Sequence, residues 1–266
     1  MPLSVGPPAD ARASSRLGSR LGIEPSQMTA MTIISRAVMA GVLGGLLSAL
    51  FVALIGEQSI DAAIAIEDSV ATPSSSGAVS ASEVSRGVQV AGGVVAVVLY
   101  GVLVGIVFGT VLSAVRHRIT VADDFRRSVL LAGTGFVAVA LMPAIKYPAN
   151  PPAVGDPDTI GQRTVAYLSL LAAGLVLAVG CAMVYRRLCR RFDQPSAMAL
   201  LTLVAITGFA LLVLLWPDSA DQIPDSFPAD LLWRFRLQSL AALAIQWTAL
   251  GLGTGWLLTR RAPRVS

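Results

Sequence analysis

Reactive side chains are scarce in this chain: it has one histidine, His117, and two cysteines, Cys181 and Cys189, among 266 residues. A single histidine excludes any paired-histidine metal motif. No Ser-His-Asp constellation, CxxC pair, phosphate-binding glycine loop or dinucleotide fingerprint is present, which leaves an enzyme little to stand on. The cysteines are separated by about 12 Å of helical rise, too far for one disulfide or one chelate. His117 is flanked by Arg116 and Arg118. Those cations oppose both its protonation and the approach of a metal ion, so it reads as a solvated interfacial side chain.

Charge is scarce too. Only 14% of the residues are charged, against about 25% in a soluble domain. The apolar runs hold no Asp, Glu, Arg or Lys apart from Lys146 at a boundary. A charge inside a bilayer costs from about 2.5 to 3.5 kcal/mol upward and marks an ion or proton pathway; its absence argues against a self-contained pump. Short alternating strands, the signature of a membrane barrel, are also missing.

What is there is hydrophobicity: 55% of residues are apolar and the mean hydropathy is +0.71. Six runs reach the roughly 17 to 25 residues needed to cross a hydrocarbon core: residues 37–55, 90–115, 128–145, 165–184, 197–215 and 237–258. The expectation is an all-α polytopic membrane protein, a bundle of six transmembrane helices. It divides into a disordered tail over 1–30 and a transmembrane domain over 31–262, with Met28 and Met31 as alternative starts. The first run is too long and glycine-rich for a signal-peptide core, and although Ala63-Ile64-Ala65 mimics a cleavage site, an uncleaved anchor is expected.

A net charge of +4 and a pI near 9.6 suggest nucleic acid, but the arrangement of the basic residues suggests topology instead. Arg12, Arg16, Arg20 and Arg36 precede the first run; Arg116, Arg118, Arg126 and Arg127 lie between the second and third. Arg186, Arg187, Arg190 and Arg191 lie between the fourth and fifth, and Arg260, Arg261 and Arg264 follow the sixth. Fifteen of the twenty basic residues thus fall on one side, which the positive-inside rule makes cytoplasmic. Both termini are then expected inside, the partner is the lipid bilayer, and no nucleic acid is expected.

On the outer side, Gly56 to Gln89 carries Glu57, Asp61, Glu67, Asp68 and Glu83 around a serine-rich centre, Thr72 to Ser82. It reads as a solvated acidic loop, no spacing fixing two carboxylates on one ligand. Gly101, Gly105 and Gly109 recur every four residues, as do Gly41 with Gly45 and Gly251 with Gly255. Such stripes let helices approach closely, within a tight bundle or a homo-oligomer. Polar groups within the runs include Ser48, Thr134, Thr207, Gln246 and Thr248, Gln246 the least comfortable in lipid.

Two outer connections have more shape. Leu141 to Thr164 carries Lys146, Tyr147, Pro148, Asn150, Pro151, Pro152, Gly155, Asp156, Pro157, Asp158 and Arg163. Its prolines fix φ and remove donors, giving a restricted excursion, and Thr159 with Gln162 offers a capping box for the next helix. The stretch after Trp216-Pro217 contains Asp218, Asp221, Asp225, Ser226, Phe227, Pro228, Asp230, Trp233, Arg234 and Arg236. Here a short interfacial helix is expected, with Ser226 as N-cap, Pro228 in its first turn and an Asp230–Arg234 pair, sharing Phe227, Leu231 and Phe235 on one face. With eleven of sixteen acids outside, these two connections are expected to meet at the mouth of the bundle. Asp156 and Asp158 are the candidate metal ligands there; the alternative is a lock, each carboxylate neutralising a basic neighbour.

The run Leu141-Met-Pro-Ala-Ile-Lys-Tyr-Pro-Ala-Asn-Pro-Pro-Ala-Val-Gly-Asp-Pro-Asp-Thr-Ile160 with Arg163, Thr164 and Tyr167, and the run Phe227-Pro-Ala-Asp-Leu-Leu-Trp-Arg-Phe-Arg-Leu-Gln-Ser-Leu240, resemble the CbtA family of predicted cobalt-transporter subunits, particularly its actinobacterial members. The likeness spans about Arg36 to Arg261. It implies a multi-pass subunit in a bacterial plasma membrane, with cobalt as cargo, no prosthetic group, and a small single-span, histidine-bearing partner of the CbtB type. Family members often place histidines between the first two spans, whereas Gly56 to Gln89 has none; that points to ligands supplied by a partner, or to a different cargo. The competing reading is a non-transporting structural or partner-binding membrane protein. No nucleotide-binding residues are present, so coupling to ATP would come from another chain.

Overall fold

In the computed structural model, residues 28–70, 85–119, 121, 123–152, 154–155, 157–219 and 223–260 are described. Most of the expected tail, the serine-rich centre, Asp156, Asp221, Arg261 and Arg264 lie outside them. The described residues form helices and turns only, and six helices are long and apolar enough to span a bilayer.

The first span begins where the Thr29 hydroxyl accepts from the Thr32 N–H at 3.2 Å, satisfying one donor of the first turn. Helix α1 (Ala30–Phe51) then passes through a π segment (Val52–Gly56) into α2 (Glu57–Val70) without a break. This overturns the solvated loop expected from Gly56. The chain after Gly56 is rich in helix formers, and it has something to pack on, because Ala63 is fully buried against Phe227, Leu231 and Leu232.

Helix α3 (Arg86–Val115) ends in a 3-10 turn, Arg116–Arg118. The third span starts at Asp124, earlier than expected, because the Asp123 carboxylate accepts from the Arg126 N–H at 2.8 Å. It comprises α4 (Asp124–Gly135), a π segment (Phe136–Leu141) and α5 (Met142–Lys146). Pro143 explains the widened turn: its ring clashes with the preceding turn and it has no N–H to return to the ladder.

Helix α6 (Ile160–Leu188) follows a 3-10 turn, Pro157–Thr159. The capping box does not form. That turn puts Thr159 in helical φ and ψ, and its side chain makes no cap bond, whereas an N-cap needs extended backbone. Helix α7 (Gln194–Leu215) is capped by Asp193, whose carboxylate accepts from the Ser196 N–H at 3.4 Å. The last span, α8 (Ala229–Thr259), is one continuous helix. The expected interfacial helix is therefore the beginning of the span itself. Ser226 is not its cap, because Pro228 disfavours helical backbone at Phe227; Pro228 itself occupies the N-cap position.

The six spans lie side by side in the order α3, α1, α8, α4–α5, α6, α7. The glycine stripes are the contacts. A methyl group on Gly41 would overlap the Gly101 carbonyl, one on Gly105 would stand 2.8 Å from the Ala37 carbonyl oxygen, and one on Gly109 2.7 Å from the Ile34 Cα. Gly251 and Gly255 do the same for α8 against α4, with 2.6 Å to the Ala132 Cβ and 2.9 Å to the Phe125 Cα. Ile33, Ala37, Phe108, Leu112, Trp247 and Leu250 fill the space between them.

Candidate functional site

At the end of the spans where α5 stops, the two expected outer connections do come together. Lys146 is the last residue of α5, with a side chain only 10% exposed, and its Nζ reaches the fully solvated Asp218 Oδ1 at 2.6 Å. The Lys146 hydrogen bond, and then its charge, hold the Asp218 carboxyl below the usual carboxylate range. Beside it the Tyr147 hydroxyl donates to the Pro217 carbonyl at 2.6 Å, and burial pushes the Tyr147 phenol up. The Trp216 indole donates to the Ser169 hydroxyl at 3.2 Å. A cavity of about 430 Å³ opens here, lined by Tyr147, Gln162, Arg163, Ser169 and Asp218.

The proline stretch crosses from this corner to the start of α8. Arg236 donates to Asn150 Oδ1 at 3.0 Å, Pro151 is buried, Pro148 and Pro152 are partly so, and Val154 packs on the Ala63, Phe227, Leu231 and Leu232 cluster. Gly155 turns the chain at φ 117°, a left-handed conformation that disfavours a side chain. The expected Asp230–Arg234 pair is present at 3.6 Å and exposed. Trp233 is exposed, with the Arg236 guanidinium 5.8 Å from its ring centroid. Asp158 is exposed in the 3-10 turn. Among the described residues no three of His, Cys, Asp and Glu converge on one point.

A second polar cluster was missed. On α2, Glu57 and Asp61 sit four residues apart and both take Arg86, the first residue of α3: Arg86 pairs with Glu57, and with Asp61 at 2.6 Å, and donates to Gln89 at 3.2 Å. The i, i+4 spacing of the two acids was the available signal, hidden by reading the stretch as loop. Below it a cleft of about 140 Å³ runs between α1 and α3 down to Ala49 and Val97.

The opposite end is held by arginines. Asp124 takes Arg116 at 3.0 Å and Arg127 at 2.8 Å, and Arg186 donates to the Arg118 carbonyl at 3.0 Å. His117 and Cys189 are exposed and Cys181 partly buried, both thiols free.

Six apolar helices with charged groups confined to their ends define a multi-pass membrane protein. The family follows: the model described as "Probable cobalt transporter subunit (CbtA)" matches residues 30–259, and the chain belongs to that family. No curated protein and no solved structure matches it.

Proposed function

We propose that this protein is the membrane-embedded, cation-handling subunit of a cobalt transporter in a bacterial plasma membrane, with both termini cytoplasmic. The observation that carries the reading is the family match over nearly the whole of the helical region. The arginine-rich connections support the orientation, and with it the outward placement of Lys146, Asp218, Glu57 and Asp61.

The Lys146–Asp218, Tyr147–Pro217 and Arg236–Asn150 contacts favour a tie that holds the outer mouth, with Asp158 as an auxiliary cation contact and Asp156, which lies outside the described residues, as its partner by sequence alone. Capture of the ion falls to another subunit. The described residues bring no three ligand-type side chains together, so a histidine-bearing single-span partner fits, and the outward face of α7 gives it a place to sit: the most apolar stretch of α7 has no buried residue. That bare face is also what favours a second reading, a partner-binding subunit that does not itself conduct.

Uptake of radiolabelled cobalt into cells carrying the partner, with and without this chain, decides between them. Chain-dependent uptake is expected; equal uptake removes the transport reading. Replacing Asp158 by Asn tests the rim: reduced uptake by a normally folded protein supports a cation contact there, and unchanged uptake removes it.

A further inference from the structure

The end of the bundle where α6 finishes carries more positive charge than its own contacts use. Among the described residues, ten arginines stand there against three aspartates, Asp123, Asp124 and Asp193. The aspartates are committed. Asp124 takes Arg116 and Arg127, Asp123 takes Arg126 at 3.4 Å, and Asp193 caps α7 through the Ser196 N–H. Arg118, Arg186, Arg187, Arg190 and Arg191 are all exposed and pair with no carboxylate among the described residues.

A helix C-terminus calls for some of this charge, because its dipole places about half a negative charge there. Four guanidinium groups between 186 and 191 exceed that several-fold. They are not on a loose tail either: the Arg190 and Arg191 N–H groups return to the Arg187 and Leu188 carbonyls at 3.2 and 2.9 Å, winding the turn onto the end of α6. Arg186 adds a fifth cation by donating to the Arg118 carbonyl at 3.0 Å, which brings the end of α3 alongside. Like charges gathered in this way repel one another. A phosphate placed among them relieves the repulsion and accepts the forked hydrogen bonds that arginine offers.

The surface above the arginines decides what the phosphate belongs to. On α6, a methyl on Gly174 would stand 2.7 Å from the Ala138 carbonyl oxygen, and Leu177 packs on Gly208 of α7. The other side of the helix is bare: Val176, Val179 and Met183 are 72%, 59% and 57% exposed. These three recur at i, i+3 and i+7, and Arg187 continues the same stripe one turn beyond Met183. An apolar strip along the span therefore runs straight into guanidinium groups, with Phe192 exposed in the turn that follows. A charged head joined to apolar chains matches both halves at once. A free phosphate would leave the strip uncovered, and an acidic protein face would meet only the arginines.

We infer that this surface binds an anionic phospholipid, with the phosphate held by Arg187 and Arg190, flanked by Arg186 and Arg118, and the acyl chains laid along Val176, Val179 and Met183. The site goes beyond the transport reading and holds whichever ion is carried. Its bound phosphate joins the ends of α3 and α6, which protein contacts alone link through the Arg186–Arg118 hydrogen bond.

Native mass spectrometry of the full-length protein in a neutral detergent tests the site, with phosphatidylglycerol and phosphatidylcholine of the same chains added in turn. Phosphatidylglycerol should bind about tenfold more tightly than phosphatidylcholine, and Arg187→Gln with Arg190→Gln should remove that preference. Arg126→Gln, at the same end but paired with Asp123, should keep it. Glycerol phosphate in excess should not displace the lipid. Melting temperature and monodispersity show which variants are folded; if the double variant is not, Arg190→Gln alone decides, with a loss of about threefold or more. Equal affinity for the two lipids overturns the site. So does displacement by glycerol phosphate, which would make it a site for soluble phosphate, and so does an equal loss in Arg126→Gln, which would reduce it to diffuse charge. A preference untouched by the arginine variants overturns it as well, and leaves the patch to the acidic face of a partner protein.

Discussion

Glycine at 41 is occupied for a reason a substitution would expose. Its missing Cβ is what lets the Gly101 carbonyl in, so Gly41→Ala must drive α1 from α3, a cost of about 1 to 3 kcal/mol for overpacking, seen as a lower unfolding midpoint in detergent. Gly133 has nothing within 4 Å of a Cβ, and Gly133→Ala should leave that midpoint within about 0.5 kcal/mol. The stripes were legible in the sequence because spacing alone puts glycines on one face. What spacing could not say is that Gly101 also faces Gln246, since that depends on where the last span crosses the first. Asp218 carries a pH signature. Its folded pKa is depressed by Lys146, so the tie is fully present above the ordinary carboxylate pKa and is lost as pH falls through the lower, folded value. Emission of Trp216, two residues away, should report that acid step, and in Lys146→Met the step should move up toward the ordinary value of about 3.9.

Elements were less legible than residues where they ended. The six runs were found because long apolar stretches admit one interpretation, and each turned out to be a helix. The continuation of the first span through Glu57–Val70 was not, because its acids suggest a solvated connection despite its helix formers, until Phe227, Leu231 and Leu232 give Ala63 a place to bury. The same holds for the separate helix expected at Ser226: the apolar face was recognised, but its continuity with α8 is set by the proline that delays its start. The described residues of the proline stretch, by contrast, behave as its composition foretold, held at one end by Tyr147 and at the other by Asn150 and Val154. Part of its hold at the α8 end is the Arg236–Asn150 bond, beside the packing of Val154. A hydrogen bond to a charged group contributes about 1.5 to 3 kcal/mol, so Asn150→Ala should hasten cleavage of the 147–159 connection by an added protease while leaving the spans intact.

At the scale of the whole molecule, the orientation proposed from arginine placement can be measured. With Cys181 and Cys189 replaced by alanine, a cysteine at the exposed Ala149 should react with an impermeant maleimide added to intact cells; reaction only after the cells are opened would invert the protein and its proposed entrance. The row of spans leaves α7 at one edge, attached chiefly to α6. No count of apolar residues could have foretold that order, because every span is hydrophobic on all sides and only the glycines and the few polar groups choose neighbours.

The first helix is far longer than the membrane needs. Its 40 continuous residues, Ala30–Ser69, reach about 60 Å at 1.5 Å per residue, twice the roughly 30 Å of hydrocarbon. The surplus stands in water as a mast, stayed by Arg86 on one flank and by Phe227 and Leu231 on another. Whatever grips its tip acquires a lever whose fulcrum is the membrane surface and whose short arm ends among the glycines facing Gln246.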